Sequence, residues 1–217
     1  MVVSKDPMFK RGVGVFAGLV ASFGILFVSI VKASSPSYQF NPPSLEPPET
    51  KTENTASKDI LIDYQLPDPG DIMPGNPLWY AVAAADKVKL EGITDPVKKA
   101  QSILEMADKR LSVGCKLFSE GKFEESVLTF QKSEKYLGEA FSNEAVARLE
   151  GRETSELLLK LHKASAFHIY DLEKHLTTAP EDARPILTKI LDLPKKVFED
   201  TRNLLSDIGV KVDDFKP

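Results

Sequence analysis

The chain has 217 residues, of which 42% are hydrophobic and 28% charged, with a formal net charge of −4. That much apolar material supports a packed core and excludes wholesale disorder, while the acidic balance excludes a basic face for nucleic-acid phosphates. The single cysteine, Cys115, excludes an intramolecular disulfide and any multi-cysteine zinc site.

Residues 1–11 carry Lys5, Lys10 and Arg11 against Asp6 and precede a run without charge, Gly12 to Val31. Twenty residues at 1.5 Å each span about 30 Å, the hydrocarbon thickness of a bilayer, and only a helix satisfies its own backbone there. Residues 12–32 are therefore predicted to form a transmembrane helix. The basic residues before it predict a cytoplasmic N-terminal tail and an extracytoplasmic remainder, a single-pass protein of the cell membrane. The competing reading is a signal peptide cleaved after Ala33; the apolar run is longer than the usual core of such peptides. Gly14 and Gly18, continued by Ser22, form a small-residue stripe that could dimerise the helix, although glycine is common in membrane helices in any case.

Residues 33–59 are rich in Pro, Ser, Thr and Glu, and Pro36, Pro42, Pro43, Pro47 and Pro48 oppose helix and strand alike. They read as a disordered, extended stalk. From Ile60 to Pro67 the chain is apolar enough to pack as a lead-in to a helical domain over 60–209, and 210–217 form a tail. Asn76-Pro77 and Asp95-Pro96 each place a capping side chain before proline, a helix-start signal. Helices are predicted from Pro77 to Glu91, from Pro96 to Glu120, and from Lys122 or Phe123 towards Arg148. A fourth runs from Thr154 to Leu176, and a last stretch reaches Ile208 with a kink at Pro194. No segment alternates with period two. The fold class is thus all-α: a transmembrane helix, a Pro-rich linker and an antiparallel bundle of four to five helices.

Two resemblances stand on this frame. Val113 to Tyr136 looks like one tetratricopeptide-type helical hairpin, with Gly114, Leu117, Gly121, Ser126, Phe130 and Ser133 at the small, large and turn positions of that repeat. A solenoid needs about three repeats, and only this one is recognisable. The second resemblance covers residues 64–180. Tyr64-Gln65-Leu66-Pro67, Met73-Pro74-Gly75-Asn76-Pro77-Leu78-Trp79, Asp95-Pro96-Val97-Lys98-Lys99-Ala100 and Ala107-Asp108-Lys109-Arg110-Leu111 follow in order. This series is similar to a bacterial family described as domain of unknown function 5667, usually found behind one membrane helix. The resemblance implies a helical extracytoplasmic domain in a bacterial envelope and supplies no catalytic residues. The chain departs from it at Ala83, Ala84 and Ala85, where relatives tend to be basic.

Chemistry-bearing patterns are sparse. His168, Asp171 and His175 share one helical face and are candidate metal ligands, with a further ligand required from another helix, such as Glu139 or Glu144. Half-buried packing is the plainer reading, because neither an H-E-x-x-H nor a di-iron Glu-x-x-His motif occurs. Cys115 reads as a small core residue. Trp79 and Tyr80 are a candidate binding surface or, at a helix start, a lid on the core. No nucleophile elbow or phosphate loop is found, so neither catalytic nor cofactor-binding residues are expected. The preferred reading is a membrane-tethered binding or scaffolding module without enzymatic activity, holding a protein or peptide partner in the envelope. The alternatives are a metal-binding or hydrolytic protein using His168, Asp171 and His175, and a purely structural homodimer joined through Gly14 and Gly18.

Overall fold

The computed structural model of the protein describes residues 38–40 and 62–212. The chain divides into two units, Met1–Tyr38 and Gln39–Pro217, and everything below concerns the second. The anchor expected at 12–32, with Gly14, Gly18 and Ser22, lies outside the described residues, as does most of the stalk. Among the described residues no helix is long and apolar enough to cross a membrane.

All regular structure among the described residues is helical: α1 Trp79–Glu91, α2 Pro96–Ser119, α3 Phe123–Leu149, α4 Ser155–Thr178, α5 Arg184–Ile190 and α6 Asp192–Asp207. Of the two Asx–Pro signals, Asp95-Pro96 acts as expected and Asn76-Pro77 does not. Asp95 Oδ1 accepts from the N–H groups of Val97 and Lys98 at 2.9 and 3.1 Å, filling two of the orphan donors at the start of α2. Asn76 Oδ1 accepts from Leu78 N–H at 2.9 Å, but this closes a turn, and α1 begins only at Trp79. The last helical stretch is not one helix kinked at Pro194. It breaks at Leu191, and Pro194 falls in the first turn of α6, where a missing N–H leaves nothing unpaired.

The tightest pairing is between α2 and α3, which fold back across Glu120–Lys122. Gly121 takes a left-handed conformation there (φ +74°), and the Lys122 N–H returns to the Leu117 carbonyl at 2.9 Å. Small side chains let the two helices approach closely. Ser126 Oγ donates to the Gly114 carbonyl and Ser133 Oγ to the Ala107 carbonyl, both at 2.8 Å. Seven residues forward on α2 match seven back on α3, the register of an antiparallel pair meeting every second turn.

The core joins Ile103, Leu104 and Ala107 of α2 to Leu137 and Ala140 of α3, Leu157, Leu161 and Ala164 of α4 and Val197 of α6. α6 packs mainly along α4, where Phe198 stacks on the His162 ring at 4.4 Å and Thr201 Oγ1 lies 3.2 Å from His162 Nδ1. α1 touches the bundle through α2 and buries only Trp79 and Leu90.

Candidate functional site

Two layers of polar side chains bridge α2 and α4. Asp108 and Cys115, seven residues apart on α2, face His168 and the Asp171–His175 pair on α4. Because the numbering rises together, these two helices run parallel, and the layers lie about 10 Å apart along the axes.

The inner layer is sealed. His168 is 0% exposed, Glu134 2% and Asp108 5%. His168 Nδ1 lies 2.9 Å from Glu134 Oε1, and Nε2 lies 3.1 Å from Asp108 Oδ1. Tyr64, from the lead-in before α1, donates its hydroxyl to Asp108 Oδ2 at 2.6 Å. Burial by itself would lower the His168 pKa, but attraction to Glu134 and hydrogen bonds to both carboxyls overcome it, and the imidazole is pushed up to about 10. His168 is therefore an imidazolium clamped between two acidic groups. Burial and the neighbouring Asp108 push the Tyr64 phenol up as well, which keeps its proton in place as a donor. Glu134 Oε2 has no hydrogen-bond partner among the described residues. No solute reaches His168, so the layer's work is to fix α2, α3 and α4 against one another.

The outer layer is half-buried. Cys115 Sγ donates to Asp171 Oδ2 at 2.7 Å, and His175 Nδ1 lies 2.7 Å from the Asp171 carbonyl oxygen and 3.4 Å from Oδ2. The His175 ring meets Phe118 edge-on at 4.7 Å and Phe130 at 5.4 Å, which holds its orientation. Burial, then the nearby Asp171, push the Cys115 thiol up, so it is held protonated rather than poised as a nucleophile. The expected trio of His168, Asp171 and His175 is thus divided. Asp171 and His175 stay together, His168 turns into the sealed layer, and Cys115 takes its place. Neither Glu139 nor Glu144 joins them: Glu139 is exposed, and buried Glu144 accepts from Thr154 Oγ1 at 2.7 Å and Arg148 Nε at 3.2 Å. Cys115 could have been found from its seven-residue spacing after Asp108, a repeat of the α2 face that looks at α4.

The candidate surface at Trp79 and Tyr80 also divides. Trp79 is the lid: it packs on Val113 and Leu117 with Ile72 and Met73, and the Arg110 guanidinium lies 4.1 Å above its ring. Burial lowers the Arg110 pKa, and Asp86, 4.0 Å away, offsets part of that. Tyr80 faces solvent at 43% exposure and opens a stripe continued by Ala84 and Val88, with Ala81 and Ala85 beside it, all exposed. The three alanines that depart from a basic pattern therefore contribute Ala84 and Ala85 to an apolar outer face of α1.

A family model described as "Domain of unknown function (DUF5667)" matches residues 71–184, a little over half of the chain. No curated protein and no solved structure matches it. The matched region holds both polar layers apart from Tyr64, and it stops at the start of α5, before α6.

Proposed function

Since the chain belongs to the DUF5667 family, we propose that it is a membrane-tethered extracytoplasmic binding module of a bacterial cell envelope. The tether is the uncharged run from Gly12 to Val31, preceded by Lys5, Lys10 and Arg11. Residues 33–59 act as the spacer that holds the helical unit clear of the bilayer. The observation that carries the binding role is the exposed stripe Tyr80–Ala84–Val88 on α1. Side chains at i, i+4 and i+8 form one continuous ridge inclined to the helix axis, of the kind that packs into the groove of a second helix. Alanines at its centre admit a second helix at short distance, and Tyr80 supplies an anchor with a polar tip. The occupant is an amphipathic helix of a protein partner, and the exposed Lys87 and Lys89 beside the stripe favour one with acidic flanks.

The test uses cells expressing the full chain with a C-terminal tag and a photo-crosslinking residue in place of Ala84. The tag is expected in the membrane fraction, is lost when cells are shaved with protease, and carries a discrete adduct after illumination. The same residue in place of exposed Lys98 on α2 should give none. Recovery of the tag in the soluble fraction would overturn the tether. An adduct pattern identical at the two positions would remove α1 from the binding role.

A further inference from the structure

We infer that Cys115, Asp171 and His175 form a binding site for a divalent transition-metal ion of the zinc class. One ligand atom from each residue lies within 4.8 Å of the other two, and all three side chains are partly open to solvent. The site is built across two elements. Asp171 and His175 are one turn apart on α4 and stack on the same face, while Cys115 reaches them from α2. Zinc-class ions bind thiolate at about 2.3 Å and imidazole or carboxylate at about 2.0–2.2 Å, which sets ligand atoms roughly 3.2–3.8 Å apart. Small side-chain movements reach that spacing from the present one. The ion takes the place of the proton that Cys115 now shares with Asp171, and that proton leaves to solvent.

The donor set decides the class of ion. A soft thiolate beside imidazole disfavours Ca2+ and Mg2+, which take oxygen ligands, and suits Zn2+, Co2+ or Ni2+. Three protein ligands leave a fourth position for water or a partner's side chain, the pattern of an open zinc site. No other histidine can serve, because His162 is buried against Thr201 and Phe198, and His168 is sealed between Asp108 and Glu134. The phenylalanines around His175 exclude water from one side and hold the ring in place.

The chain holds one cysteine, so any sulfur-to-metal signal reports Cys115. The full chain in detergent, stripped with chelator, is titrated with Co2+ alone. One equivalent should bind, with a near-ultraviolet sulfur-to-cobalt absorption band that C115S abolishes. H175Q and D171N should each weaken binding by at least about tenfold. Zn2+ should displace the cobalt, slow alkylation of Cys115, and raise Tm by roughly 5 °C or more at a hundredfold excess over Kd. Helical circular dichroism and Tm without metal establish whether each variant is folded. The alkylation reading needs no variant and stands if one fails to fold. A natural chain that shows no cobalt band overturns the site, as does Zn2+ leaving the alkylation rate unchanged. So do folded H175Q and D171N that bind Co2+ as tightly as the natural chain.

Discussion

His168 shows how a single residue can set the conditions under which the bundle holds. Its pKa is raised from the ordinary value of 6.5 to about 10 in the folded chain. Its contribution to stability is therefore complete below pH 6.5 and is lost as pH rises through about 10. His162 acts with the opposite sign: burial lowers its pKa, so its contribution is present above 6.5 and declines as pH falls below it. Urea midpoints should therefore fall between pH 7 and pH 10 in the natural chain, and His168→Gln should flatten that slope. An unchanged slope would mean that the imidazole is not the charged group. His168→Ala leaves Asp108 and Glu134 buried without their shared partner and should lose about 3–5 kcal/mol of unfolding free energy, read by urea titration at pH 7. Tyr64→Phe removes one hydrogen bond to the same layer and should lose only about 1–2 kcal/mol. The histidine and its neighbour Asp171 are visible on one helical face in the sequence. Their separation is not, because it depends on which side chains of α2 and α3 oppose them.

At the scale of elements, the α2–α3 hairpin is held by close approach more than by bulk. A Cβ added at Gly114 would stand 2.5 Å from two ring carbons of Phe130, and Phe130 is fully buried with no room to retreat. Gly114→Ala should therefore lower stability by about 1–3 kcal/mol, measured by thermal or urea unfolding. Paired with Phe130→Leu, its effect should be smaller than the sum of the two single changes, because the smaller side chain removes the clash. This hairpin is legible in the chain: small residues at Gly114, Ser126 and Ser133, large ones at Leu117 and Phe130, and a turn glycine between them. The α5–α6 break is less so. Pro194 is a conspicuous helix breaker in the sequence, yet it is harmless in a first turn, and Leu191 at the actual break carries no local signal.

At the scale of the whole molecule, α6 completes a core that the family-matched residues leave open. Val197, Phe198, Thr201 and Leu205 are all buried, and Val197 belongs to the same cluster as Leu161 and Ala164 of α4. Phe198→Ala should lose about 3–5 kcal/mol and should weaken the packing of His162, whose ring stacks on it. Truncation after Leu191 should abolish a cooperative thermal transition, and a chain that still melted sharply without α6 would show that the first five helices suffice.

The sequence by itself determined what rests on neighbours along the chain. Helical periods, the Asp95–Pro96 cap and turn glycines are local, so the four helices between 79 and 178 and the tight α2–α3 turn could be read to within a few residues, and the family series could be recognised in order. Tertiary structure decided what rests on residues far apart. It brought Tyr64, Asp108, Glu134 and His168 into one sealed layer, set Cys115 against Asp171 and His175, and turned Trp79 inward and Tyr80 outward. The physical reason is that a helical face is broad enough to point its residues at different partners. Only the register between helices settles which carboxyl, thiol or ring each one meets.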